Sequence, residues 1–180
     1  MNYASIRRMD ISNGDGIRVS LFVSGCNTHC PGCFNPEAQD FEYGNPYTAE
    51  TRQLIIDMIA DNPHIEGLSI LGGDPLWQNE QGLSELIDLV HQVRKLGKTV
   101  WLWSGLTWET VMKASGETSI EARLRQQLVE SCDVFVDGPF IESLKDLRLK
   151  WRGSSNQRVI DVQKSLKDGK VVLYESKNTI

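Results

Sequence analysis

Positive charge is in short supply. Lysine and arginine number 19 against 24 aspartates and glutamates, a formal charge of −5 over 180 residues. Nucleic acid and anionic membranes are met with basic surfaces, so neither is an expected partner. Long apolar runs are missing too; nothing approaches the roughly 20 residues that span a bilayer. The stretch "MNYASIRRMDISNGDGIR" has no signal-peptide core. These absences predict a cytoplasmic protein. Cysteine is scarce, four in all. Three lie within eight positions and one far away, which is not the pattern of a secreted disulfide framework. No internal repeat, low-complexity tract or clear linker divides the chain. The expectation is one domain over residues 1–180, long enough to bury a proper core.

What is present reads as strands alternating with helices. "IRVSLFVS" (17–24) is rich in β-branched and aromatic residues, apolar on both faces as in a buried parallel strand. "TAETRQLIIDMIADNP" places Leu54, Ile55, Met58 and Ile59 at helical spacing, with Pro63 just beyond. "GLSIL" (67–71) is a short strand ended by "GGDP". Residues 79–96 carry a stripe of Leu83, Leu86, Ile87, Val90 and Val93, and Gly97 sits where a helix cap belongs. "KTVWLWSG" is a strand; 107–114 and 119–131 are helical around the polar linker "SGET". "CDVFVDGPF" is a fourth strand, and the tail "RVIDVQKSLKDGKVVLY" is read as two short strands about Asp168-Gly169. Strands alternating with helices predict an α/β fold with a mainly parallel sheet and right-handed crossovers. A closed eight-stranded barrel takes ~250 residues, so this chain is expected to form a partial (β/α) barrel at most. Ligands in such folds gather at the carboxyl ends of the strands. Those ends carry the cysteines, "GGDP", "WSG" and "DGPF".

The cysteines stand in "GCNTHCPGCFNP", with Cys26, Cys30 and Cys33 spaced C-x3-C-x2-C. Thiolates suit zinc and iron–sulfur clusters. A structural zinc site wants four ligands. His29 adjoins Cys30, and Cys132 falls between a helix and a strand at the opposite end of this topology, so zinc is poorly completed. A 4Fe–4S cluster normally takes four cysteines; three leave one iron open to a small chelating ligand. Three incidental buried thiols are the bland alternative. Cys132 is read as a packed thiol, and His64 and His91 as exposed.

C-x3-C-x2-C after a first strand resembles the radical S-adenosylmethionine (SAM) enzymes. Within them, "NGDGIRVSLFVSGCNTHCPGCFNP", "LSILGGDPL", "VWLWSG", "DVFVDGPF" and "WRGSSNQR" resemble the activating proteins of anaerobic ribonucleoside-triphosphate reductase. The resemblance spans residues 13 to 158 and implies a radical SAM type of fold. It implies that Cys26, Cys30 and Cys33 hold a 4Fe–4S cluster whose open iron binds SAM. It places Gly32, Cys33 and Phe34 against the adenosine. Gly72, Gly73 and Asp74 stand for the element that contacts the methionine ammonium, where glycine lets backbone approach and a carboxylate suits a cation. Reductive cleavage would give a 5′-deoxyadenosyl radical that takes a hydrogen atom from a glycine of the reductase large subunit. The electron would come from reduced flavodoxin or a similar low-potential donor.

Other positions are weaker signals. Asn13-Gly14-Asp15-Gly16 reads as a turn, and Arg18 as a cation that meets a carboxylate near the site. Ser104 and Gly105 read equally as a turn or as pocket, and Asp137 to Pro139 read as a turn that ends the fourth strand. Arg152, Ser154, Asn156 and Arg158 form a polar run, either a solvated loop or part of the site or the reductase interface. Trp101, Trp103, Trp108 and Trp151 are read as core, with a partner surface as the alternative. Rival readings are an activase of another glycyl-radical enzyme such as pyruvate formate-lyase, a zinc-stabilised binding module, and a plain electron carrier.

Overall fold

A computed structural model describes residues 1–113 and 119–176 of the chain. The linker "SGET" lies outside these residues. The elements run β1 (Asn2–Asp10), β2 (Ile17–Val23), β3 (Asn45–Pro46), α1 (Ala49–Ala60), β4 (Ile65–Gly72), α2 (Glu80–Lys95), β5 (Thr99–Trp103), α3 (Trp108–Met112), α4 (Ile120–Ser131), β6 (Val134–Asp137), β7 (Arg158–Asp161) and α5 (Val162–Asp168). They build one seven-stranded sheet in the order β3-β1-β2-β4-β5-β6-β7. The four central strands β2, β4, β5 and β6 are parallel. The edges are antiparallel: β1 on β2, β3 on β1, and β7 on β6.

The strand period of two sorts β2, β4 and β5 into two faces. Val19, Leu21, Val23, Leu68, Ile70, Val100 and Leu102 join the helices in the main core. The other face holds a smaller cluster of Trp101, Val134, Val136 and Val159, packed by Trp103, Trp151 and Tyr174. On β2 this second face is not apolar as expected: Arg18 and Ser20 alternate with Phe22, all buried. Side chains cap the helices, Asn79 accepting from Gly82 N at 2.9 Å at the start of α2, and Ser119 and Asp161 doing the same for α4 and α5. The α2 stripe is buried as read, and Gly97 follows it at φ +73°.

Three readings need correction. Leu54 is 44% exposed, because the buried line of α1 runs through Thr51, Ile55 and Ile59, and Leu54 lies a residue off that line. The N-terminal stretch, read as no element, is the strand β1. In the tail, one expected strand is β7, but α5 follows it, started by the Asp161 cap and ended by Gly169 at φ +65°. The chain then returns along β7, with Asp161 N donating to Val172 O at 2.9 Å and Tyr174 N to Val159 O at 2.8 Å. Among the described residues no helix is long and apolar enough to cross a membrane.

Candidate functional site

Three parallel strands end on the same short sequence logic, a glycine or small polar residue that lets the backbone turn and be approached. After β2 the chain enters the cysteine loop, which is stitched to the end of β4. Gly73 N donates to Val23 O at 2.7 Å, Asp74 N to Gly25 O at 2.8 Å, and Gly25 N to Ala38 O at 2.8 Å. A Cβ on Gly73 would stand 2.5 Å from Ala38 O and 2.6 Å from Gly25 O, so only glycine permits this seam. Cys33 N donates to Cys30 O at 3.2 Å, and the loop turns through Gly32 at φ +69° and His29 at φ +48°.

Cys26, Cys30 and Cys33 are all half-buried free thiols, and all three line one cavity of about 500 Å³ at the strands' carboxyl ends. Thr28 N donates to Cys26 Sγ and Asn35 N to Cys33 Sγ, each at 3.4 Å. Amide donors to sulfur suit thiolate ligands, whose charge they delocalise. Burial pushes the Cys26 and Cys30 thiols above their ordinary range; a cationic cluster of soft metal would offset that desolvation. Among the described residues, no three His, Cys, Asp or Glu side chains converge on a single-ion position. Three thiols on one cavity wall are a donor set whose chemistry fits an iron–sulfur cluster. Cys132 is fully buried at the amino end of β6, its Sγ donating to Leu128 O at 3.2 Å; its thiol is held protonated by burial and serves packing. His64 and His91 are exposed, and His29 is exposed beside Gln39 Oε1 at 3.0 Å.

Gly72, Gly73 and Asp74 also line the cavity. The Asp74 carboxylate is 1% exposed and committed to protein partners. Leu76 N donates to Oδ1 at 2.9 Å; Ser104 Oγ and Gly105 N donate to Oδ2 at 2.9 and 2.8 Å. Burial outweighs these donors and pushes its pKa up to about 6. Its side chain therefore ties the end of β4 to the end of β5, and Ser104 and Gly105 are cavity wall. Phe34 lines the cavity but is 57% exposed, edge-on to Phe140 at 5.1 Å. Gly32 is not among the cavity-lining residues; a Cβ there would meet the Glu142 carboxyl at 3.0 Å.

The stretches "DGPF" and "WRGSSNQR" prove to be one structural unit. Gln157 Nε2 donates to Gly138 O at 2.9 Å, Asn156 Nδ2 to Pro139 O at 2.8 Å, and Ile141 N to the buried Ser154 Oγ at 3.1 Å. Arg158 grips both oxygens of buried Asp137 and, beyond it, both of Glu109. Asp137 also accepts from Trp108 N at 2.8 Å. The unit brings Gly138, Phe140, Trp151, Arg152 and Gly153 to the cavity wall. The polar run is thus a scaffold for the site, with Arg152 its member that reaches the cavity.

Arg18 overturns its reading. It is 1% exposed within the sheet's second face and, among the described residues, hydrogen-bonds to no carboxylate. It donates instead to Ser69 Oγ, Asp15 O, Thr99 Oγ1, Leu68 O and Thr99 O, beneath Trp101 at 5.5 Å. Desolvation lowers its pKa to about 10, which leaves it charged. Sequence reasoning missed Arg7, which reaches the cavity from β1 and lies over Phe22 at 4.7 Å. No motif marks it. It also missed Asn35, which donates to Gly72 O at 3.3 Å.

Comparison with known proteins agrees with this geometry. A family model described as a 4Fe-4S single cluster domain matches residues 12–160. The chain is similar to the anaerobic ribonucleoside-triphosphate reductase-activating protein of Escherichia coli K12, 39% identical over 162 residues that cover 88% of this chain and 97% of the relative. The protein of that name from Vibrio cholerae serotype O1 is 38% identical over 160 residues, covering 87% and 96%. The one from Enterobacteria phage T4 is 34% identical over 160 residues, covering 88% and 93%.

Proposed function

The chain belongs to the family of anaerobic ribonucleoside-triphosphate reductase-activating proteins, and on that premise we propose that it installs a glycyl radical on the reductase large subunit by reductive cleavage of SAM. The observation that carries the reading is the set of three half-buried thiols, with no fourth beside them, around one cavity at the strand ends. Cys26, Cys30 and Cys33 would hold a 4Fe–4S cluster, and the coordination position they leave open is where SAM would bind. When bound, the cluster supplies the electron that breaks the C–S bond of SAM, and the resulting 5′-deoxyadenosyl radical takes the glycine hydrogen atom.

The chain's own residues position and shield that chemistry. The backbone of Gly72 and Gly73 would face the SAM ammonium, while Asp74 holds the Ser104–Gly105 wall in place. Cys33 and Phe34 would lie along the adenosine. Trp103, Phe22 and Leu71 give the cavity apolar walls that exclude water. In this reading the sheet is a partial (β/α) barrel of the radical SAM type, a single domain over residues 1–180. It works in the cytoplasm with reduced flavodoxin or a similar donor.

The test is anaerobic reconstitution with iron and sulfide, reduction with dithionite, and addition of SAM. About four irons per chain and 5′-deoxyadenosine are expected. Cys26→Ala, Cys30→Ala and Cys33→Ala should each abolish cleavage, and Cys132→Ala should not. Tight zinc binding without 5′-deoxyadenosine would sink the enzyme reading. A radical signal on pyruvate formate-lyase and none on the reductase would sink the choice of target.

A further inference from the structure

The mouth of the cavity carries a feature that cofactor binding does not use. From Ile141 to Lys150 the chain forms a lip with one short 3-10 turn, Glu142–Leu144. Leu147 on it is 85% exposed, Leu144 41% and Ile141 38%. Scattered exposed leucines need no explanation, but Ile141, Leu144 and Leu147 stand three residues apart along one lip at the cavity mouth. They are presented by a fixed backbone. Ile141 N is held by Ser154 Oγ, Ser155 N donates to Leu144 O at 2.9 Å, and Asp146 N to Gly153 O at 3.3 Å. The lip also concentrates positive charge on a chain of net −5. Arg148 is paired with Asp146 at 2.8 Å, which leaves Lys145 and Lys150 on the lip and Arg7 and Arg152 on the cavity wall below, against Glu142.

We propose that the Ile141–Lys150 lip is the docking surface for the reductase segment that carries the target glycine. It would select an extended segment with aliphatic side chains flanked by acidic ones. This rests on the activase reading. The hydrogen atom to be abstracted has to enter a cavity of about 500 Å³, which admits an extended chain and no folded domain. The flanks of that chain then lie on the rim, where Leu147 and Leu149 meet the cavity edge. Apolar side chains on the lip desolvate aliphatic partners, and the excess of cations steers and orients acidic ones.

The experiment measures binding of the purified reductase large subunit to the metal-free full chain by calorimetry, alongside the radical signal and SAM cleavage of the reconstituted protein. Leu147→Asp and Leu144→Asp are each expected to weaken binding about tenfold or more. Leu144→Asp, whose side chain does not line the cavity, leaves dithionite-driven SAM cleavage within about twofold of wild type while radical yield per reductase falls. Leu54→Asp, an equally exposed leucine on α1, leaves binding unchanged. Unaltered binding in both lip variants overturns the proposal, as does an equal loss in Leu54→Asp. So does a change in self-association with reductase binding intact, which would make the lip a contact between copies of this chain. Loss of SAM cleavage in Leu144→Asp would assign the lip to the cofactor pocket instead. If wild type forms no 5′-deoxyadenosine and the lip variants still lose reductase binding, the radical chemistry falls and the docking surface stands.

Discussion

Replacing Arg158 by leucine tests whether the clamp between "DGPF" and "WRGSSNQR" holds the site wall. Arg158 Nε donates to Asp137 Oδ1 at 3.0 Å, and its terminal nitrogens reach Asp137 Oδ2 and both oxygens of Glu109. The two carboxylates differ in environment. The Asp137 side chain is 1% exposed and that of Glu109 52%. Removing the guanidinium strands a charge at Asp137 that water cannot reach, which costs about 3–5 kcal/mol. The Glu109 arm is solvated, so Glu109→Gln should cost at most about 1 kcal/mol, even though Arg158 holds the Glu109 carboxyl down to about 2. For a chain of this size the Arg158→Leu loss corresponds to a fall in Tm of about 6–20 °C. Adding Asp137→Asn to Arg158→Leu should recover about 2 kcal/mol, because the stranded charge is gone while Trp108 N–H keeps its acceptor. Urea unfolding of the metal-free protein reads all three variants against wild type. Arg158→Leu within about 1 kcal/mol of wild type, or Glu109→Gln matching it, would refute the reasoning.

Two further outcomes follow from the seam between β2, β4 and β5. Asp74 has a folded pKa of about 6, above its ordinary 3.8, so between those values the folded state binds more protons than the unfolded one. Its stabilising contribution is complete below about pH 4 and is lost as pH rises through 6, about 3 kcal/mol in all. Stability of the metal-free wild type relative to Asp74→Asn should therefore decline across that window in chemical denaturation, and a flat difference would contradict it. Gly73→Val should lower iron bound per chain after reconstitution at least several-fold, since its Cβ would press on Ala38 O and Gly25 O; unchanged iron content would show that the seam yields.

The cysteine loop was legible because the spacing of thiols is itself chemistry and needs no pattern. The α2 stripe was legible because it is long and periodic. β1 was not. Its burial alternates poorly along "NYASIRRMD", and one of its charged residues, Arg7, reaches the site cavity. α5 has seven residues, too few to show a period against the β-branched run around it. Arg18 shows why a residue's charge is a poor guide to its partner. A lone arginine in a strand implies a carboxylate, yet the fold satisfies it with carbonyl and hydroxyl oxygens that belong to no motif. The role of Asp74 was half legible: the turn could be read, but its hydrogen bonds to Ser104 and Gly105 depend on β5 lying beside β4.

The return of the tail along β7 has a consequence for the order in which the molecule can be made. Tyr174 and Ser176 hydrogen-bond to Asp15 at 3.2 and 2.7 Å, across 159 and 161 positions, and Tyr174 packs on Trp101 at 4.9 Å. The three thiols leave the ribosome early, and the wall from Gly138 to Gln157 late. At typical synthesis rates the cysteines then wait on the order of 10 s without the cavity that shelters them. In that interval they form an open thiol loop, accessible to any soft metal in the cell. The sheltered site comes into being only when the last strand has paired, so the cavity is the part of the fold completed last.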